Sequence, residues 1–260
     1  LRNLNRPKPS QPTAISVPKI NNLSQLEEYL LSRGIDYAQI EDRFKIVSGD
    51  KYFRAKGEDQ AATVPAIGFV YGENEAVKWR SIEGKRFTQD GAARQLWGID
   101  RIRDRETMPK TLIITEGEID SASVAQVVPA STAVCSVPNG APAKVSQNKV
   151  TAEEDTKFHY LWAAKDVLEG VDEIILATDN DSAGQALKEE VARRSGRAKC
   201  KEITFPEDCK DLNEVLMKHG SEALSEIITN AKHMPLEGVY QAKEYLDSVK
   251  ELYDQGLVTG

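Results

Sequence analysis

The sequence has few of the residues that build zinc sites or disulfide frameworks. Its 260 residues include only three cysteines and three histidines, and no two cysteines form a C-x-x-C pair. The histidines also lack the sequence spacing of zinc ligands. These absences argue against a disulfide scaffold and a structural zinc site, and they favour free thiols in a reducing compartment. The residues concerned are Cys135, Cys200, Cys209, His159, His219 and His233.

Long apolar runs are also missing. No segment approaches the roughly 20 apolar residues that cross a bilayer, and no signal-peptide pattern opens the chain. Hydrophobic residues make up 40% and charged residues 29% of the chain, which is ordinary for a globular protein with one large domain or two small ones. Because the first residue is Leu1 rather than methionine, we expect the chain to be a piece of a longer polypeptide.

The net charge of −7 is opposite to the basic excess of most nucleic-acid-binding proteins. This argument is weak for enzymes, because a cluster of carboxylates that holds a metal adds negative charge. A local basic groove can still contact phosphates in such a protein. The distribution of charge therefore matters more than its sum.

The first half of the chain predicts a linker, a helix and a small antiparallel β-module. Residues 1–20 hold four prolines and little apolar pattern, which is typical of a flexible linker. A helix is predicted over 23–33, with Ser24 and Glu27 as a capping box and Gly34 at its end. Strands are predicted over 44–47, 51–56, 66–71 and 76–82, with a turn at 48–50.

Alternation in the last of these strands separates two kinds of side chain. Lys78 and Arg80 fall on one face, and Val77, Trp79 and Ser81 fall on the other. A solvated face is the simplest interpretation of the two basic residues.

Strands and helices alternate from Thr111 onward, which predicts a mostly parallel sheet with helices on both faces. Asp120 is predicted to cap the first of these helices and Thr151 the second, which ends at Gly170. A last helix over 241–253 carries an apolar stripe that packs on its own domain or docks on a following one. The other predicted strands cover 112–114, 133–137, 174–177 and 202–205, and the other helices cover 183–194, 212–218 and 222–229.

Acidic residues follow three of these strands. Glu116 comes after 112–114, Asp179 and Asp181 come after 174–177, and Asp211 lies in the loop after 202–205. Because the carboxyl ends of parallel strands meet at one edge of a sheet, these carboxylates are expected to gather there. A divalent cation relieves their repulsion, and oxygen-only ligands favour Mg²⁺ or Mn²⁺. For Asp179-Asn180-Asp181 alone, helix capping is the preferred interpretation, and Glu-Gly after a hydrophobic strand is also a weak signal by itself.

The order of the motifs E-G-x-x-D, D-x-D-x-A-G and K-D-x-N-E resembles the TOPRIM domain of DnaG-type primases, topoisomerases and some nucleases. Segments at 66–69, 77–80, 85–87, 96–98 and 136–140 resemble the RNA polymerase domain of phage-type primase-helicases and Twinkle-like relatives. The similarity covers roughly residues 35–260. It implies an α/β fold with a TOPRIM-type mostly parallel sheet flanked by helices, preceded by a small antiparallel α+β module.

The resemblance also implies boundaries and roles. The domains would be a linker over 1–20, the N-terminal module over 21–108, the TOPRIM domain over 109–232, and a helix and linker toward a helicase over 233–260. Glu116 would be a metal ligand or proton-transfer group, Asp179 and Asp181 would hold Mg²⁺ or Mn²⁺, and Asp211 would complete the acidic set.

Basic residues of the N-terminal module receive implied roles as well. Lys78 and Lys85 would contact the triphosphate of an incoming nucleotide, with Arg80 as a helper. A basic groove for the template is expected along Arg54, Lys56, Arg101, Arg103 and Arg105.

The leading hypothesis is a primase RNA-polymerase domain that joins ribonucleoside triphosphates on single-stranded DNA. It would work beside a helicase domain of the same polypeptide, in the cytoplasm of a bacterial or phage-infected cell, or in an organelle matrix. The chain itself contains no zinc-binding domain and no G-x-x-x-x-G-K-[ST] motif. Two alternatives stay open, a TOPRIM nuclease and a non-catalytic DNA-binding domain that supports a helicase.

Overall fold

Two β-sheets, one antiparallel and one mostly parallel, organise the described part of the protein. The structure is a computed structural model that describes residues 15, 22–55, 57, 60–142, 144–145, 155–236 and 250. Most of the predicted linker, the Thr151 cap, Lys56 and nearly all of the predicted helix over 241–253 lie outside these residues. The domain boundaries stay predictions.

Strands and helices alternate from Thr111 onward as predicted, although two helices, α4 (His159–Ala163) and α5 (Lys165–Gly170), stand where one was predicted up to Gly170. The helices are α1 Leu23–Ser32, α2 Ile99–Arg103, α3 Glu118–Ala125, α4 His159–Ala163, α5 Lys165–Gly170, α6 Ser182–Ser195 and α7 Leu212–Thr229. The strands are β1 Ile46–Phe53, β2 Ala62–Tyr71, β3 Ala76–Ser81, β4 Phe87–Gly91, β5 Thr111–Thr115, β6 Ala133–Ser136, β7 Glu173–Ala177, β8 Cys200–Glu202 and β9 Lys232–His233.

The first sheet is antiparallel in the order β1-β2-β3-β4. The turn predicted at 48–50 is wrong, because Ser48 and Gly49 pair with Ile67 and Ala66 inside a continuous β1. Cross-strand pairing overrides the local turn preference of these residues. Strand β4 was not predicted, since the side chains of this edge strand are exposed or half-buried and show no apolar alternation.

The second sheet has the order β6-β5-β7-β8-β9, with β9 antiparallel and the other strands parallel. Strand β8 ends at Glu202, so the strand predicted over 202–205 is placed too late along the chain. The helices predicted over 212–218 and 222–229 form one element, α7, which is interrupted at Gly220 with φ 84° and ψ 176°.

Two helix caps differ from the prediction. Asn22 rather than Ser24 caps α1, and its Oδ1 accepts a hydrogen bond from the Gln25 backbone N–H at 3.1 Å. Gly117 rather than Asp120 occupies the N-cap position of α3, because the chain turns into the helix immediately after Glu116. Helix α1 begins at Leu23 as predicted, whereas α3 begins at Glu118, earlier than an Asp120 cap implies.

A shared apolar core joins the two sheets. Trp97 is fully buried, stacks on Phe44 with a centroid distance of 4.1 Å and meets Phe69 edge-on at 5.3 Å. Its backbone also pairs with Ser136, at the outer edge of the parallel sheet. The same core includes Ile119 of α3 and residues of α1 and α7.

The opposite face of the parallel sheet is covered by α4, α5 and α6 through Leu161, Leu168 and Leu187. Helices on both faces of a mostly parallel sheet, preceded by an antiparallel module, confirm the predicted fold class. Among the residues that the structure describes, no helix has both the length and the apolar character to cross a bilayer.

Candidate metal and nucleotide site

Acidic residues follow two neighbouring strands at the same edge of the parallel sheet. Strands β5 and β7 are paired so that Thr115 lies beside Ala177, and the loops after them leave the sheet side by side. Each loop is tied by a buried threonine: Thr115 Oγ1 donates to the Gly117 carbonyl at 2.9 Å, and Thr178 Oγ1 donates to the Gly184 carbonyl at 2.8 Å. The loops that carry Glu116 and Asp179 are therefore fixed by the strands beneath them.

Other atoms approach both motif glycines closely. A Cβ added at Gly184 would lie 2.1 Å from the carbonyl oxygen of Asp179, far inside contact distance. A Cβ added at Gly117 would lie 2.7 Å from Oδ2 of Asp120. Because backbone cannot yield as a flexible side chain does, position 184 accepts only glycine with the loop in this form.

Glu116 and Asp179 carry poorly compensated negative charge. The pKa of Asp179 is raised to about 7, first by burial and then by the charges of Glu116 and Asp211. The pKa of Glu116 is also raised, by burial and by Asp181. Glu116 Oε2 is buried, and it has no hydrogen-bond partner among the residues described. An added cation would relieve this repulsion.

A lysine supplies part of the missing positive charge. Lys210 Nζ lies 3.3 Å from Asp181 Oδ2 and 3.7 Å from Asp179 Oδ2, on a side chain that is 57% exposed. Asp181 uses its other oxygen, Oδ1, to accept the Gly184 backbone N–H at 2.9 Å and so caps α6. Both contacts lower the pKa of Asp181, the Gly184 N–H more than Lys210. Asp181 therefore both caps α6 and pairs with Lys210 at the acidic edge.

Asp211 and Asp120 complete the acidic neighbourhood. Asp211 caps α7 by accepting the Glu214 N–H at 2.8 Å. Asp120 is buried beside it and accepts the Asn213 N–H at 3.0 Å. Burial, then Asp211 and Asp179, hold the pKa of Asp120 well above its usual range. Sequence reasoning gave Asp120 only a capping role, although its place in E-G-x-x-D was the signal for more.

The four predicted acids are electrostatic neighbours rather than a preformed coordination shell. Among the described residues, no three of their oxygens lie within 4.8 Å of one another. Their chemistry fits a hard divalent cation, since all donors are carboxylate oxygens.

A different set of ligand-type atoms is clustered nearby. Asp208, Cys209 and His219 bring three such atoms within 4.8 Å, the one such group in the part of the chain that the structure describes. His219 Nε2 lies 2.9 Å from Asp208 Oδ1, and Cys209 Sγ lies 3.7 Å from the same oxygen. The sequence spacing does not show this cluster, because α7 brings His219 back over the loop that carries Asp208 and Cys209.

Lys78 joins the antiparallel module to the acidic edge. Its ammonium forms an ion pair with Glu118, two residues after Glu116, and the side chain is 24% exposed. The buried Tyr71 hydroxyl donates to the same Glu118 carboxylate at 2.5 Å. The Lys78 face of β3 thus packs toward the parallel sheet, while Val77 and Trp79 pack in a separate core on the other face.

The other two predicted nucleotide-binding residues lie further along the same hairpin. Arg80 holds its guanidinium 5.5 Å from the centre of the Phe87 ring, and its Nε is buried without a partner in the described structure. Lys85 is exposed in the turn after β3. Neither forms an ion pair within the described residues, so both cations stay available.

The basic groove predicted for the template is not assembled as expected. Arg103 is neutralised by Asp166 at 2.7 Å. Arg101 and Arg105 line a cavity at the amino ends of β5 and β6, the sheet edge opposite the acids. Arg54 lies apart from them after β1, because the strand order places it on the antiparallel sheet.

Comparison with known proteins identifies the domain that contains the parallel sheet. Residues 113–216 match the sequence model of a family described as Toprim-like. The chain carries a Toprim-like domain. The matched residues run from β5 into α7 and include all four predicted acids. Toprim domains generally depend on a divalent metal, in agreement with the all-oxygen donors of this edge.

Proteins similar to this chain include a Twinkle homolog and a primase homolog. The Twinkle homolog protein, chloroplastic/mitochondrial, of Arabidopsis thaliana is 38% identical over 199 residues, which are 73% of this chain and 27% of that protein. The primase homolog protein of the same plant is 40% identical over 182 residues, 66% of this chain and 52% of that protein. The chain therefore spans about half or less of these relatives.

The fold also resembles a solved structure. The primase fragment of the bacteriophage T7 primase-helicase protein matches with a TM-score of 0.56 and 22% identity, over 86% of this chain and 83% of that one. This likeness extends over most of the chain and confirms the fold.

Proposed function

We propose that the chain is the RNA-polymerase domain of a DNA primase. It would synthesise short RNA primers from ribonucleoside triphosphates on single-stranded DNA by metal-dependent nucleotidyl transfer. The observation that carries this proposal is the ion pair between Lys78 and Glu118, which holds a basic side chain of the antiparallel sheet beside the acidic edge of the Toprim-like domain. The printed names of the Arabidopsis relatives, Twinkle homolog and primase homolog, support it.

The acidic residues would hold Mg²⁺ or Mn²⁺. Glu116, Asp179 and Asp181 are the first ligands in this proposal, and Asp211 adds charge from the cap of α7. A bound divalent ion would neutralise charge on the transferring phosphoryl group and activate the attacking oxygen. The raised pKa of Asp179 and the unpartnered Oε2 of Glu116 support a binding role, because both record negative charge that lacks compensation.

Two lysines would change partners when substrate arrives. Lys78 is held by Glu118, and a triphosphate placed at the acidic edge would offer a stronger acceptor for its ammonium. Lys210 pairs with Asp179 and Asp181 and would release them to the metal. Arg80 and Lys85, which have no ion pair in the described structure, would contact more distant phosphates.

Partners and location follow from the same relatives. A single-stranded DNA template, ribonucleoside triphosphates and a helicase domain of the same polypeptide are the partners we propose. An organelle matrix agrees with the printed name of the Twinkle homolog, and the cytoplasm of a bacterial or phage-infected cell agrees with the T7 structure.

A primer-synthesis assay tests the proposal. Single-stranded DNA of varied sequence would be incubated with the protein, labelled ribonucleotides and Mg²⁺ or Mn²⁺. We expect short labelled RNA from the parent protein and a loss of about 10²–10³-fold in Asp179→Ala and in Lys78→Ala, as for removal of a group that stabilises the transition state. Lys165→Ala is the matched control, since this exposed lysine of α5 lies outside the site. Nicked DNA in place of RNA would favour a nuclease, and DNA binding with neither product would favour a non-catalytic domain.

A further inference from the structure

A second charged site lies at the opposite edge of the parallel sheet. A cavity of about 860 Å³ opens there, at the residues that precede β5 and β6. From Thr111 at the start of β5 to Thr115 at its end, the strand spans on the order of 13 Å. The cavity is therefore separate from the acidic edge. Its charged lining consists of Arg43, Arg101, Arg105, Lys110, Asp42 and Glu106.

Cations outnumber anions in this lining by four to two. None of the four cationic side chains has a carboxylate within 4.0 Å among the described residues. Other arginines of the protein do have one, as Arg103 with Asp166 and Arg197 with Glu189. The cavity thus concentrates positive charge that the protein does not neutralise by ion pairing.

Two of the guanidinium groups are half-buried with few hydrogen bonds. Arg43 Nη2 donates to the Val128 carbonyl at 3.1 Å, and Arg43 Nη1 is buried without a partner in the described structure. Arg105 Nη1 reaches the Ser131 carbonyl at 3.4 Å. Burial lowers the pKa of both arginines more than the charge of Asp42 raises it, and the charge of Arg105 lowers the pKa of Arg43 further. Partly desolvated cations with unfilled donors are stabilised by an anion.

We propose that this cavity binds a phosphate group, carried either by a strand of nucleic acid or by a free nucleotide. The planar guanidinium groups match the oxygens of a phosphate, and the volume is sufficient for a nucleotide unit. The site uses none of the residues of the acidic edge. The phosphate site is therefore independent of whether the chain synthesises primers.

Binding measurements in EDTA test the site apart from the metal-dependent edge. Pyrophosphate would be titrated by calorimetry, and a fluorescent 12-residue single-stranded oligonucleotide by anisotropy. We expect Arg101→Glu to weaken binding at least about 10-fold, and to lower the salt slope for the oligonucleotide by about 0.7 for each phosphate that the arginine neutralises in the parent protein. Lys165→Glu makes the same charge change on an exposed side chain outside the lining.

The two probes distinguish the sources of the phosphate. Loss of both interactions in Arg101→Glu identifies a site that accepts a free phosphate compound. Loss of oligonucleotide binding, with no pyrophosphate binding by the parent protein, identifies a nucleic-acid strand. Equal effects of Arg101→Glu and Lys165→Glu, or no binding of either probe, would overturn the proposal. Far-ultraviolet circular dichroism of each variant checks that the fold is retained.

Discussion

Replacing Asp179 by asparagine is expected to stabilise the metal-free protein, although the residue lies in the centre of the proposed site. Its carboxyl group is surrounded by Glu116, Asp211 and buried protein, which raise its pKa to about 7 from 3.8. The side chain is only 21% exposed, so solvent screens this repulsion incompletely. Asparagine has nearly the same shape and carries no charge. Removing an unfavourable charge at a functional site commonly raises stability while activity is lost.

The pH dependence has a definite sign. A carboxyl whose pKa is higher in the folded than in the unfolded protein costs no stability below the unfolded value of 3.8. The cost grows as pH rises between 3.8 and about 7, and it is constant above that. With 1.36 kcal/mol per pKa unit, Asp179→Asn should raise the free energy of unfolding by at most about 4 kcal/mol at pH 8 and about 1.7 kcal/mol at pH 5.

Urea unfolding in EDTA at pH 5 and pH 8 measures both values. Asp50→Asn is the matched control, because Asp50 is exposed in β1, and its effect should stay within about 0.5 kcal/mol at either pH. Adding Mg²⁺ should stabilise the parent protein more than Asp179→Asn. If Asp179→Asn is less stable than the parent protein at pH 8, or gains the same free energy of unfolding at both pH values, the repulsion assigned to Asp179 is refuted.

Three further substitutions test the structure around the site. Gly184→Ala places a Cβ 2.1 Å from the Asp179 carbonyl oxygen, and it should cost about 1–3 kcal/mol in urea unfolding and abolish metal-stimulated activity. Tyr71→Phe removes the donor to Glu118, and it should cost about 1–2 kcal/mol while raising the KM for nucleotide, which steady-state kinetics would show. Arg194→Met removes the cation that pairs with buried Asp155 and one of the cations that pair with buried Glu190, and a loss of about 3–5 kcal/mol by urea unfolding is expected. A change below about 0.5 kcal/mol in any of the three would contradict the contact on which it rests.

The strand ends that carry the acids could be predicted because their signal is local. A buried strand followed by Thr115, Glu116 and Gly117 specifies a βα turn, and the same holds for the loop that begins at Asp179. Parallel pairing then brings the turns together without further information. The Toprim-like match over 113–216 agrees with this half of the sequence interpretation.

Contacts between distant segments could not be predicted. The ion pair of Lys78 with Glu118 joins residues 40 positions apart, and it depends on how the antiparallel sheet packs on α3. The fully buried Trp97, which bridges the sheets, shows in sequence only as one aromatic residue before a glycine. In the sequence, Lys210 likewise appears only as part of the K-D-x-N-E motif. Its ion pairs with Asp179 and Asp181 depend on the folded loop.

Errors in the element assignments have local physical causes. The Ser48-Gly49-Asp50 segment has turn-forming residues, yet a full ladder to β2 keeps it extended. Strand β4 lacks apolar alternation because it is an exposed edge strand. The predicted basic groove failed because charge along the sequence does not tell which edge of a sheet a side chain reaches.

Binding of Mn²⁺ tests the central claim most directly, that the acidic edge of the Toprim-like domain is a divalent-metal site. Electron paramagnetic resonance of free Mn²⁺ gives the dissociation constant at pH 8 for the parent protein, Asp179→Asn and Asp50→Asn. We expect Asp179→Asn to weaken Mn²⁺ binding by at least a factor of about 10, equivalent to about 1.4 kcal/mol, while Asp50→Asn binds like the parent. Equal dissociation constants for all three proteins would contradict it.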